Sequence, residues 1–193
     1  NLAPPVSRVR IDAARLWEAM VPAPEHHGLI VQVPGPADLL LHNAVHLFMN
    51  DELRGGLRDV VDFRDLFRHF SKEHPGFEQA LLARAGQLGC GRPLYYAATV
   101  ADRLVGLDCS KQFLEQVREW APPRPVAVLM AALIDEALAP PALGRWQSAL
   151  AKQLLFIRSH WIRMPPLMLA KHLLRKTFGS RKSAQTADPD LPG

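Results

Sequence analysis

His42, His46 and Asn50 recur at i, i+4 and i+8 in the stretch Pro36-Ala-Asp-Leu-Leu-Leu-His-Asn-Ala-Val-His-Leu-Phe-Met-Asn50. That spacing places three polar side chains on one side of a helix that is otherwise almost wholly apolar, so this side must face water or a polar cavity. Beyond a short break, Arg54, Arg58, Asp62, Asp65 and His69 form a similar line, in which Arg58 and Asp62 are spaced to pair. If the two helices are antiparallel neighbours, the lines converge on a cavity holding two histidines, an arginine and a carboxylate. Such a set suits an anionic ligand such as a phosphate, because a guanidinium offers a fork of donors to its oxygens. His42, His46, Arg58 and Asp62 are therefore the candidate substrate-binding residues.

A sharper chemistry is metal binding. His-x-x-x-His on a helix can put two imidazoles on one ion, with Asp59 or Asp62 as a third ligand. Against it, position 43 is Asn, where the helical metalloprotease motif carries a Glu base, and no third His follows at the expected distance. A plain exposed stripe or ordinary structural polar contacts are the competing reading, and no metal ligand is assigned. No serine sits in a nucleophile-elbow glycine frame, and Gly55-Gly56 lacks the Lys-Ser/Thr ending of a phosphate loop and reads as a turn.

The elements that must position these residues are helical. Pro36 suits a first helical turn, and Asp38 favours the positive end of the helix dipole. Leu40, Leu41, Ala44, Val45, Leu47, Phe48 and Met49 then cover most of the surface, which predicts a central core helix. The next helix starts at Leu57 and is expected to bury Leu57, Val60, Val61, Phe63, Phe67 and Phe70. Further helices are predicted over 75–88, 92–105, 110–120, 125–138, 142–163 and 165–178, separated by Gly89-Cys90-Gly91, Gly106-Leu107-Asp108, Pro122-Pro123 and Pro140-Pro141. Residues 1–35, with Pro4, Pro5, Pro22, Pro24 and Pro34, read as mostly extended. One short helix interrupts them, capped by Asp12 with Ile11, Leu16, Ala19 and Met20 on its apolar side, and Gly28 to Pro34 forms a short strand. The expected fold is predominantly all-α, a compact multi-helix bundle. Its parts are a Pro-rich segment 1–35, a helical domain 36–178, and a tail 179–193 with no apolar face to bury.

Composition agrees with a folded globular chain: 48% of the 193 residues are hydrophobic and 22% charged. The longest apolar run, Val126 to Ile134, is far short of the roughly 20 residues that cross a bilayer, so no transmembrane span is expected. Asn1 to Arg8 holds neither an initiator Met nor a secretion-signal pattern, and a preceding region is expected. The only cysteines, Cys90 and Cys109, have no Cys-x-x-Cys spacing; two buried free thiols fit a reducing cytosol, so the expected location is cytoplasmic. Charge is uneven. Residues 1–136 hold 14 Lys and Arg against 17 Asp and Glu, whereas residues 137–193 hold 9 against 2. The basic C-terminal segment, including Arg158, Trp161 and Arg163, could meet an acidic partner, nucleic acid or an anionic membrane surface; a solvated basic face is the plainer account.

The two polar helices also resemble a known family. Pro34-Gly-Pro-Ala-Asp-Leu-Leu-Leu-His-Asn-Ala-Val-His46 followed by Leu57-Arg-Asp-Val-Val-Asp-Phe-Arg-Asp-Leu66 is similar to the helical region of the uncharacterised nucleotidyltransferases, in the polymerase-β-like nucleotidyltransferase superfamily. The matching residues are Leu41, His42, His46, Leu57, Arg58, Asp62 and Leu66, and the likeness extends over about residues 12–178. The resemblance implies a catalytic core in which a Gly-Ser turn holds nucleotide phosphates and an Asp-x-Asp pair with a third carboxylate binds magnesium, with a nucleoside triphosphate as co-substrate. Here the only Gly-Ser is Gly179-Ser180 and the only Asp-x-Asp is Asp188-Pro-Asp190, both near the C-terminus, and Asp12 reads as a helix cap. The resemblance therefore implies a C-terminal helical portion, without catalytic residues or cofactor of its own, working beside an upstream or separate nucleotidyltransferase core. The alternative is a helical interaction module using its basic C-terminal helices.

Overall fold

In a computed structural model, residues 13–23, 28–29, 31–49, 53, 56–138 and 146–163 are described. The expected Asp12 cap, Asn50, Arg54, Gly55, the helix over 165–178 and the tail 179–193 lie outside the described residues. Eight helices and one two-stranded sheet are seen among those described: α1 (Ala13–Glu18), β1 (Met20–Pro22), β2 (Gln32–Pro34), α2 (Pro36–Met49), α3 (Leu57–Glu73), α4 (Phe77–Gln87), α5 (Gly91–Val105), α6 (Lys111–Arg118), α7 (Arg124–Leu138) and α8 (Trp146–Arg163). The protein is predominantly α-helical, as its periodicity predicts.

The N-terminal segment departs from the expectation in two respects, the first being that the strand expected from Gly28 to Pro34 spans only Gln32–Pro34 among the described residues. Met20 belongs not to the short helix but to β1, which pairs antiparallel with β2 in the register Met20 to Pro34, Val21 to Val33 and Pro22 to Gln32. Pro22 is the physical cause, since a proline drives the residue before it out of the helical region and into extended backbone. A ribbon of two strands has only edges, so it tolerates Pro22 and Pro34.

The core is built around α2 and α5. Helix α2 packs on α3, α4, α5 and β2, while α5 packs on α2, α3, α4 and α6; α7 and α8 pair with each other. Leu40, Leu41, Ala44, Leu47 and Phe48 of α2 meet Val60, Phe63, Phe67 and Phe70 of α3 and Leu94, Ala97, Ala98 and Ala101 of α5 in one cluster. Phe67 sits among Phe77 and Phe113, with ring centroids 6.0 and 5.2 Å away. Leu57 is exposed and Val61 only half-buried, contrary to expectation, because the buried stripe of α3 runs through 60, 63, 67 and 70. At about 100° per residue, positions 57 and 61 fall well to one side of it.

Short polar ties hold the helix ends. The Ser110 side chain accepts from Phe113 N at 3.1 Å as the N-cap of α6, and its own N–H donates to Glu78 Oε1 of α4 at 2.8 Å. Asp38, only 6% exposed, receives Arg84 of α4 through Nε at 2.6 Å and Nη2 at 2.9 Å. Arg84 also donates to the carbonyl of Arg15, and Arg15 in turn donates to the carbonyl of Gln87. The first turn of α2 is thereby locked to α4 and α1.

Both thiols are free. Burial pushes the Cys90 thiol up to about 11, with Asp38 adding to the effect, and Cys109 up to about 12, where Asp102, Glu78 and Asp108 add to it. Because the folded state holds these protons more tightly than the unfolded chain, stability present below the ordinary thiol value of 9.0 is lost as pH rises through the folded values. Native protein at pH 8 is expected to react slowly with a disulfide thiol reagent and rapidly in guanidinium. Urea midpoints measured from pH 8 to 10.5 should fall more steeply for the wild type than for a Cys90→Ala/Cys109→Ala variant. Equal slopes would refute the assignment.

Candidate functional site

The polar side of α2 opens on a groove between α2 and α3 with a volume of about 310 Å³, walled by His42, Asn43, His46 and Asp59 over an apolar floor of Leu39, Leu47 and Leu66. His42 and His46 are exposed and their ring centroids lie 6.3 Å apart. The i, i+4 spacing puts both imidazoles on one wall, as the sequence predicts.

The opposite wall is not the predicted one. Arg58 and Asp62 do not line the groove; they form an exposed pair at 3.9 Å, with side chains 84% and 52% exposed. An exposed pair at that distance contributes little. Helical geometry accounts for the difference. The middle of the buried stripe of α3 lies between Val60, Phe63, Phe67 and Phe70, and at about 100° per residue Asp59 and Leu66 fall within about 60–80° of it, whereas Arg58 falls about 160° away and Asp62 about 120°. Asp59, half-buried, is thus the carboxylate that the packing turns toward α2.

Asn43 is the second residue that periodicity passes over. Its Oδ1 is buried and has no hydrogen-bond partner among the described residues, although Asn43 lines the groove. A buried acceptor left unpaired costs about 1–3 kcal/mol. The signal was present in the sequence as a polar residue one step from a helix's histidine stripe. Only the packing shows that its oxygen is shut away from water.

The groove's donor atoms do not suit magnesium. Mg²⁺ prefers near-octahedral oxygen ligation with several retained waters, while this wall presents two imidazoles and a single carboxylate. Among the described residues no three His, Cys, Asp or Glu side chains come together in a way that could hold a metal ion. No step through a metal is assigned to these residues.

The basic C-terminal region is only partly seen. Lys152 is exposed on α8, as a solvated basic face requires, but Arg158 is half-buried and turned inward, with its guanidinium 5.4 Å from the Tyr96 ring centroid. Arg145, Lys171, His172, Arg175, Lys176, Arg181 and Lys182 lie outside the described residues, as do the side chains of Trp161 and Arg163. Among the described residues no helix is long and apolar enough to cross a membrane.

Residues 1–106, more than half of the chain, match the family model described as uncharacterised nucleotidyltransferase. No curated protein and no solved structure matches the chain.

Proposed function

The chain belongs to the uncharacterised nucleotidyltransferase family, and from that premise we propose that its α2–α3 groove holds the acceptor substrate beside a nucleotidyl-transferring core supplied by another segment or another chain. The observation that carries this reading is the groove itself, which presents the exposed His42 and His46 together with Asp59 over an apolar floor. A nucleotidyl acceptor attacks through a hydroxyl or amino group, which is a hydrogen-bond donor before it reacts. An imidazole nitrogen and the Asp59 carboxylate are both acceptors, and together they would orient such a group without themselves taking part in bond making. Arg58 and Asp62, at the rim of α3, lie outside this constellation. The matched region ends at residue 106, so α6 to α8 lie beyond it.

The test is to incubate the complete gene product with labelled nucleotides, magnesium and cell extract, and to follow label into an acceptor. Transfer is expected. A His46→Ala or Asp59→Ala variant should need about tenfold to a hundredfold more acceptor to reach half-maximal rate, the loss expected for one or two hydrogen bonds to a polar ligand. Arg58→Ala should change it little. Absence of transfer with every nucleotide would sink the transferase reading, and unchanged acceptor dependence in the groove variants would sink the assignment of the groove.

A further inference from the structure

A second cavity, of about 220 Å³, lies on the other side of α2, where the end of that helix meets the α4–α5 turn and α8. Phe48 and Pro93 provide apolar walls, Tyr96 the floor, and, among the described residues, Arg92 and Arg158 the only charged side chains that line it. Phe48 is two residues from His46, about 200° around α2, so this cavity and the acceptor groove occupy separate faces.

Arg158 is unusual in its setting. Its guanidinium is drawn from water, which lowers its proton affinity; Tyr96 raises it through charge and hydrogen bonding, and the positive charge of Arg92 lowers it again. It stacks 5.4 Å from the Tyr96 centroid and donates through Nη1 to the Phe48 carbonyl at 3.3 Å. The end of α2 and Tyr96 thus take up part of the five N–H donors that a guanidinium carries. Among the described residues neither Arg92 nor Arg158 pairs with a carboxylate. Two like charges at one small, largely apolar hollow, with no carboxylate paired to either among the described residues, leave it positive, and an anion held between them removes the repulsion. The first turn of α5, which contributes Arg92 and Pro93, adds the positive end of its helix dipole in the same sense.

We propose that Arg92, Arg158 and Tyr96 form a binding site for a phosphate group, either as the free ion or as the terminal phosphate of a small molecule. The volume is below the roughly 300 Å³ at which ordinary ligand pockets begin, which admits a phosphate with a short appendage and leaves a whole nucleotide outside. Two forked guanidiniums can share the several acceptor oxygens of a tetrahedral phosphate, whereas a carboxylate has only two. The site does not rest on the acceptor groove and stands or falls separately.

Inorganic phosphate and glycerol phosphate, each titrated into the purified chain by calorimetry and thermal shift at constant ionic strength, are the probes. Saturable binding is expected for the wild type. Arg92→Ala should weaken it about tenfold or more, the effect of losing charged hydrogen bonds, while leaving the melting temperature in phosphate-free buffer unchanged, because Arg92 is exposed. Arg158→Lys should keep the charge and still weaken binding, since the fork is lost. Glycerol phosphate binding more tightly than the free ion would assign the apolar walls to an organic phosphate; the reverse would assign free phosphate. Absence of saturable binding, equal binding to Arg92→Ala, or equal stabilisation by acetate would overturn the proposal.

Discussion

Replacing Asp38 with Ala is expected to lower the free energy of unfolding by about 3–5 kcal/mol, the cost of stranding a buried charge. The loss falls on Arg84, whose side chain is only 15% exposed and whose Nε and Nη2 both point at the carboxylate. Hydrogen bonding to Asp38 is the main reason that the Arg84 guanidinium holds its proton more firmly than usual. The lost ion pair also releases the tie from Arg84 to the Arg15 carbonyl, so the first turn of α2 should loosen against α1 and α4 together. Arg84→Lys should not preserve the stability, because an ammonium cannot meet both carboxylate oxygens with a fixed fork. A double Asp38→Leu/Arg84→Met variant should recover much of it, since an apolar pair of similar volume avoids desolvating two charges. Urea unfolding followed by circular dichroism gives all four values. A single-variant loss below about 1 kcal/mol would show that the pair behaves as an exposed one.

Gly91→Ala is expected to destabilise by about 1–3 kcal/mol through overpacking, although alanine is ordinarily the better helix former. A Cβ at position 91 would lie 2.4 Å from Cδ2 of Trp120 and 2.5 Å from Cγ. These atoms belong to the inner edge of the indole, so the whole ring must move rather than a flexible tip. Gly91 begins α5, and Trp120 closes the segment after α6, so the close approach brings the two helices together. The decisive measurement is a double-variant cycle with Trp120→Ala. Once the indole is gone, Gly91→Ala should become neutral or stabilising, and the two changes should be strongly non-additive. If Gly91→Ala costs the same with and without the indole, the contact is not what selects glycine.

The helices were largely legible because their apolar residues repeat at 3 and 4, and because Gly89, Gly106 and the Pro122-Pro123 pair punctuate them. The His42–His46 wall was legible for the same reason, since two residues four apart on one helix must be neighbours wherever that helix goes. Met20 was less so. Its place depended on Pro22 favouring extended backbone over one more helical turn, with a partner strand about a dozen residues away to complete the pairing.

The residues that oppose one another across helices required the tertiary structure. Asp59 rather than Arg58 lines the groove with His46 because the stripe of Val60, Phe63, Phe67 and Phe70 sets the rotation of α3 against α2, and a shift of one residue turns a side chain by about 100°. Asp38 looked like a dipole-favoured carboxylate, yet its main partner is Arg84, 46 positions away. A sign was present in Arg84 itself, a charged residue spaced three and four from Leu81 and Leu88 on an apolar face. Arg158 belonged to a basic run that composition could only describe as a face, and packing of α8 turned it onto Tyr96. By itself the sequence determined which residues share a helix and which side of that helix is greasy, because helical periodicity is local. Which polar residue meets which partner was decided only in the folded molecule, where the burial of large side chains fixes each helix's rotation and the weaker polar contacts follow from it.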